Sequence, residues 1–222
     1  MNALQRKSAF ELPPRTDDTS KIVSRGISAV AFLDLPTDLP APVDDGACDH
    51  LAGMAMPAIA LRSTQGRMVD LSSLPGARTV IYCYPATGVP GEPLPDGWDA
   101  IPGARGCTPQ SCSFCDHHAE LQQLGAAVFG LSTQSPAIQS ELAARIHLPF
   151  EVLSDEGLAF AGALRLPTFE AGGRTLIKRV TLIVRDGRIE AALYPVFPPN
   201  ESAAQTIEWL KAAAPYSNRS PG

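Results

Sequence analysis

The apolar positions of this chain change period several times, and each change marks an element. Ile59 and Leu61 begin a period-two pattern, Gln65-Gly66 marks a turn, and Met68, Val69 and Leu71 resume apolar character, which predicts a small hairpin. Ala77 to Cys83 is apolar and β-branched, bounded by Pro75-Gly76 and by Pro85, and has the make-up of a central strand buried on both faces. Phe114, His118, Leu121 and Leu124 then recur at helical spacing up to Gly125, followed by a short strand, Val128 to Leu131. Ser135-Pro136 opens a second helix with Ile138, Leu142 and Ile146 on one face and an i,i+4 pair, Glu141 and Arg145, exposed. Phe150 to Leu153 reads as strand and Glu156 to Leu164 as a third helix ahead of Pro167. Lys178 to Val184 and Ile189 to Tyr194 are two strands joined through Asp186-Gly187, a strong hairpin signal, and Ser202 to Ala213 is a closing helix carrying Ile207, Leu210 and Ala214 on one side. A parallel crossover half completed by an antiparallel hairpin predicts an α/β fold with a central mixed sheet and helices on both faces.

Two stretches break this rhythm. Residues 1–54 are interrupted by Pro13-Pro14, Asp17-Asp18, Pro36, Pro40, Pro42 and Asp44-Asp45, with one short apolar run, Ile27 to Leu35, that suits a helix or a strand. They read as an arm that either wraps the domain or contacts a partner subunit, leaving 55–214 as the domain and 215–222 as a tail. Pro85 to Gly103 is a glycine- and proline-rich loop whose one aromatic side chain, Trp98, is expected to pack down as a cover beside Cys107. Gly88 to Gly91 in that loop does not match the dinucleotide fingerprint G-x-G-x-x-G, so no cofactor is expected there.

With 222 residues, 45% of them hydrophobic, the chain suits one ordinary domain plus an appendage. A net charge of -5 without a long basic run argues against a nucleic-acid partner. No apolar stretch approaches the roughly 18 residues of a membrane span, and Met1 to Asp17 lacks the apolar core of a secretory signal, so the expected location is cytoplasmic. The five cysteines cannot all pair within one chain, and three of them crowd into Cys107, Cys112 and Cys115, a pattern that fits chemistry better than a disulfide framework. Gly106 reads as chain reversal, Thr108 as a helix cap and Pro109 as the first helical position. Cys107 then lies at or just before a helix N-terminus, where unpaired N–H groups and the positive end of the dipole stabilise a thiolate over a thiol.

These residues resemble a peroxiredoxin of the atypical two-cysteine class named after bacterioferritin comigratory protein. The resemblance covers roughly Pro57 to Trp209. Its sharpest piece is Gly106-Cys107-Thr108-Pro109-Gln110-Ser111-Cys112, supported by Ile81 to Pro85, Gly130-Leu131-Ser132, Leu148-Pro149-Phe150 with Leu153-Ser154-Asp155, and Arg179 to Ile183. It implies a thioredoxin-like fold and thiol-dependent reduction of hydrogen peroxide or organic hydroperoxides, with no cofactor or metal. Cys107 is then the peroxidatic cysteine, Cys112 the resolving one, and Arg179 the arginine that stabilises thiolate and peroxide. A thioredoxin-like protein or small thiol is the implied reductant, and a homodimer is left open. The family's Pro-x-x-x-Thr-x-x-Cys signature is split: Pro85 and Thr87 stand at the strand end, but Ala104 and Ala100 precede Cys107 where threonine and proline are expected. Thr87, Thr108 or neither is therefore the peroxide-binding hydroxyl.

Five residues along a helix is about 7.5 Å of rise and some 140° of rotation, too far for a disulfide that needs Cα atoms within about 6.8 Å. A bond between Cys107 and Cys112 thus requires the first turns to unwind. Cys115 has three readings: alternative resolver, reserve thiol or inert core residue. Cys83, at the end of the central strand, is expected to come near Cys107. Two other functions remain open: a thiol–disulfide oxidoreductase using Cys112 and Cys115 as a C-x2-C pair, and a metal-binding or non-enzymatic binding protein.

Overall fold

The computed structural model describes residues 35–74 and 78–213. Residues 1–34, with most of the Ile27 to Leu35 run, the Pro75-Gly76 boundary with Ala77, and 214–222, with Ala214 and the tail, lie outside the described residues. Among the described residues the chain runs β1 (Ala60–Ser63), β2 (Met68–Asp70), β3 (Arg78–Cys83), α1 (Cys107–Asp116), α2 (His118–Gln123), β4 (Ala126–Ser132), α3 (Pro136–Arg145) and β5 (Glu151–Ser154). It continues with α4 (Ala159–Leu164), β6 (Thr168–Ala171), β7 (Arg174–Ile177), β8 (Val180–Arg185), β9 (Arg188–Leu193) and α5 (Ser202–Ala212).

Seven strands form one mixed sheet in the order β2-β1-β5-β4-β3-β8-β9. The pairs β3–β4 and β4–β5 are parallel, and β3–β8 and β8–β9 antiparallel. Period-two alternation along β3 divides the core between the two faces. Val80, Tyr82 and Tyr84 pack with Cys107, Phe114, Leu121, Ile207 and Leu210, whereas Ile81 and Cys83 pack on the other face with Leu51, Leu61, Phe160 and Leu164. Tyr82 stacks on Phe114 with centroids 4.4 Å apart, so the base of α1 is anchored to the middle of the sheet. The Asp186-Gly187 turn takes positive φ at both residues, 51° and 69°, as the tight hairpin requires.

Four details depart from the sequence reading. The helix running to Gly125 is interrupted at His117, whose backbone leaves the helical region (φ -97°, ψ 7°) and whose ring Nδ1 lies 2.9 Å from the Ser113 carbonyl. The helix expected from Glu156 begins only at Ala159, because the Asp155 carboxylate accepts from the Phe160 and Ala161 N–H groups (3.0 and 2.8 Å) and holds the preceding residues in a turn. The chain at 168–177 forms a separate hairpin, β6–β7, turned by Gly172 and Gly173 at positive φ. Finally, the end of the arm is core: Leu51 is fully buried and Cys48 nearly so, and Gly53 and Met54 hydrogen-bond with Ile189.

Candidate active site

Gly106 decides where α1 begins. It adopts φ 99°, a left-handed conformation, and a Cβ there would run into Pro199 and lie 2.9 Å from Leu35 Cδ2. The helix therefore starts at Cys107, two residues earlier than a start at Pro109 capped by Thr108. Thr108 is inside the first turn and makes no capping bond. Pro109 still occupies a position whose N–H has no helical acceptor, since the first helical bond runs from Gln110 N to Gly106 O at 3.0 Å.

Cys107 is 3% exposed and lies against Arg179, itself 3% exposed. Arg179 Nη2 is 3.3 Å from the Cys107 sulfur and also faces the carbonyl oxygens of Gly103, Ala104 and Arg105 at 3.2, 3.4 and 3.1 Å. Its Nη1 donates to Gln110 Oε1, and Gln110 Nε2 donates to Ser202 Oγ at 3.1 Å. Five N–H groups in a rigid fork suit such a convergent set of acceptors better than one ammonium would. Arg179 Nε is buried without a partner among the described residues, leaving one donor unspent. Arg179 precedes β8 rather than lying within it, and its neighbour Lys178 points the other way. Lys178 turns outward to Asp45 at 2.9 Å, and Tyr194 also donates to Asp45 at 2.9 Å. The Lys178 hydrogen bond is the main reason the Asp45 carboxyl is held down to about 2. This contact fastens the arm beside the segment that carries Arg179.

Ala86, Gly88, Leu94, Trp98, Cys107 and Thr108 line a crevice of about 20 Å³, close to the size of one water. Trp98 is 4% exposed and covers this crevice, as the sequence anticipated. A larger cavity of about 340 Å³ lies beyond Arg179, walled by Pro42, Val43, Ile101, Phe169 and Pro195, and does not include Cys107.

The two candidate threonines are in different surroundings. Thr108 is buried in the Cys107 crevice, and its hydroxyl makes no hydrogen bond among the described residues. Thr87 is committed elsewhere: its N–H and hydroxyl donate to Gln134 Oε1 at 2.8 and 3.1 Å, while Gln134 Nε2 donates to the Thr87 carbonyl at 3.0 Å. Cys83 does not approach Cys107, contrary to expectation, because strand alternation sends it to the opposite sheet face with Cys48. Burial pushes its thiol well above the ordinary range.

Cys112 and Cys115 are both half-buried on α1, and all five cysteines are free thiols. Burial raises both of these thiols, and Asp116 raises them further. Cys112 lies in the second turn, away from the helix N-terminus that would activate a C-x2-C pair. Among the described residues, no three His, Cys, Asp or Glu side chains converge as metal ligands, and no helix is long and apolar enough to cross a membrane. Two residues escaped the sequence reading. Gln110 ties Arg179 to α5, and Gln134 holds Thr87. The signal for Gln110 was a polar side chain fixed in the buried first turn of α1.

A Redoxin family model matches residues 51–207. Peroxiredoxin Q, chloroplastic, from Oryza sativa subsp. japonica is 31% identical over 161 residues, covering 72% of this chain and 66% of that protein. The counterpart from Gentiana triflora is 28% identical over 188 residues, covering 82% and 79%. The chain thus spans about 66% of the length of the rice relative. Among solved structures, peroxidoxin BcpB from Mycobacterium tuberculosis superposes with a TM-score of 0.60 at 22% identity, covering 74% of this chain and 98% of that one. Peroxiredoxin Q from Xanthomonas campestris gives 0.57 at 22% identity, covering 81% and 100%. The mixed sheet with helices on both faces is therefore a thioredoxin-like fold, and the chain belongs to the redoxin family, among its peroxiredoxins of the Q type, as the Sedum lineare relative, 30% identical and covered to 77%, shows.

Proposed function

We propose that this chain is a thiol peroxidase that reduces hydrogen peroxide or organic hydroperoxides at Cys107. The observation that carries the reading is the 3.3 Å approach of Arg179 Nη2 to the Cys107 sulfur at the first position of α1. The thiolate of Cys107 attacks the terminal peroxide oxygen, the O–O bond breaks, and the alkoxide or hydroxide leaves and takes up a proton. The product on the protein is a sulfenic acid. Arg179 holds the anionic sulfur and polarises the peroxide, while the Thr108 hydroxyl, in the same crevice, donates to the peroxide oxygen. The small crevice under Trp98 suits the hydroperoxide head alone, with any organic tail directed outward.

Cys112 then condenses with the sulfenic acid, forming a disulfide and releasing water. This step needs the buried first turn of α1 to open. A thioredoxin-like dithiol or a small thiol restores the reduced enzyme by exchange. One relative in structure is described for alkyl peroxide reduction, the Xanthomonas campestris bacterioferritin comigratory protein, which supports including organic substrates.

The test is peroxide consumption by the full chain with dithiothreitol or a thioredoxin system. Cys107→Ser abolishes it, whereas Cys112→Ser yields one sulfenic event without turnover. Peroxide consumption that survives Cys107→Ser would overturn the reading.

A further inference from the structure

We propose that Cys115 is a third redox centre, taking over the disulfide from Cys107–Cys112 so that Cys112–Cys115 is the bond an external dithiol reduces. The inference rests on the peroxidase reading above and extends it by one exchange step.

The argument starts from what the first disulfide disrupts. Every residue from Cys107 to Ser111 is buried. Tyr82 donates to Ser111 Oγ at 3.2 Å, and Gln110 bridges Arg179 and Ser202. A bond between Cys107 and Cys112 spans five helical positions, so it exists only while this turn is pulled open and those contacts are broken. Cys112 and Cys115 need a much smaller change, since side chains three apart on a regular helix hold their Cβ atoms about 5–6 Å apart and a disulfide draws them to within about 4.5 Å. Three positions on an intact α-helix place their Cα atoms about 5 Å apart, inside the range a disulfide accepts. Among the described residues, the only polar contact of either sulfur is a long one, from Cys115 Sγ to the His147 carbonyl at 4.0 Å.

The exchange balances without a further reagent. Cys115, its proton lost to solvent, attacks Cys112 Sγ. The Cys112–Cys115 bond forms, the Cys107–Cys112 bond breaks, and the electron pair leaves on Cys107 as a thiolate. One disulfide replaces another, and the oxidation level of the protein is unchanged. The leaving sulfur is the one that returns to the guanidinium of Arg179, and its departure lets the first turn refold with all of its buried contacts. Refolding therefore draws the exchange forward. The exposure of the three sulfurs favours the same order: Cys107 is 3% exposed, while Cys112 and Cys115 both reach the surface on the second half of α1. A reductant that docks there meets an accessible disulfide and leaves the peroxide crevice undisturbed.

The experiment mixes the fully reduced, full-length protein with one equivalent of hydrogen peroxide, traps it with N-ethylmaleimide at successive times, and maps disulfides by mass spectrometry. The expected course is Cys107–Cys112 first, replaced by Cys112–Cys115, with Cys107 reappearing as a free, alkylated thiol. In Cys115→Ser the first disulfide persists and thioredoxin-coupled turnover falls roughly tenfold, since exchange must then await reopening of the first turn. Cys115→Ala serves equally well if the serine variant folds poorly. A wild-type protein that ends at Cys107–Cys112, or that forms Cys107–Cys115 directly, overturns the relay. The double variant Cys112→Ser with Cys115→Ser separates the two proposals. Sulfenic acid at Cys107 there, without Cys112–Cys115 in the wild type, sinks the relay alone, whereas no sulfenic acid there removes the peroxidase reading and the relay with it.

Discussion

Arg179 places Nη2 3.3 Å from the sulfur of Cys107 across 72 positions of sequence, and the same nitrogen faces three successive carbonyls of the loop that leads into α1. One side chain thus shapes the loop and supplies the positive charge beside the Cys107 sulfur. Arg179→Lys keeps the charge but cannot fork toward both the sulfur and Gln110. The peroxide-dependent step should slow by roughly 10²-fold, the usual loss when one preorganised donor is removed from a reacting oxygen. Stopped-flow fluorescence of the variant during peroxide mixing measures this, and an unchanged rate would show that Arg179 serves the loop alone.

Thr108 and Thr87 separate chemistry from scaffolding. Thr108→Val removes the hydroxyl that shares the Cys107 crevice and should lower kcat/KM for peroxide about 10- to 100-fold with little loss of stability. Thr87→Val leaves a buried Gln134 oxygen short of one donor and should cost about 1–2 kcal/mol in urea unfolding, with peroxidation at Cys107 nearly intact. Comparing kcat/KM with the unfolding midpoint for both variants tests the assignment, and the reverse pattern would return the peroxide to Thr87.

The division between these two threonines also marks what the sequence could express. The alternation along β3, the Asp186-Gly187 hairpin and the helix opened by the cysteine cluster all depend on local period or on one motif, and each was legible. The start of α1 was not, because it depends on what a Cβ at Gly106 would strike, namely Pro199 and Leu35, residues far away in sequence. Cys83 was placed near Cys107 because both stand at the strand-to-helix end of the sheet. Face, which follows from the strand's phase against its neighbours, sends it to the opposite side. Gln110 and Gln134 were missed for a similar reason: a buried amide shows its purpose only when its two partners are known. The β6–β7 hairpin lacked a signal strong enough to separate Gly172-Gly173 from an ordinary loop.

Trp98 limits what reaches the sulfur. It is 4% exposed, lies with its ring centroid 6.2 Å from that of Phe169, and walls the crevice at Cys107. Trp98→Ala should cost about 3–5 kcal/mol of stability through the cavity it leaves. It should also raise kcat/KM for cumene hydroperoxide relative to hydrogen peroxide, because the space gained lies where the organic group must pass. Parallel assays with the two peroxides decide the point. A proportional fall for both would mean that Trp98 acts only as packing.

The resolving step carries its own pH dependence. Burial raises the Cys112 thiol above the ordinary cysteine range, with the negative charge of Asp116 adding to the effect. The thiol is the neutral form, so a raised value means a smaller thiolate fraction at any pH below it. The rate of disulfide formation, proportional to that fraction, should climb with pH through neutrality and continue climbing past the point where an unperturbed cysteine, near 8.5, would begin to level off. Asp116→Asn removes the nearby charge, lowers the thiol's titration point and should speed resolution at pH 7 without altering the preceding attack on peroxide. Stopped-flow traces with excess peroxide resolve the two phases, and the second phase alone is expected to move. A resolving phase that is flat between pH 6 and 9, or that ignores Asp116→Asn, would mean that local opening of α1 rather than ionisation of Cys112 sets the rate.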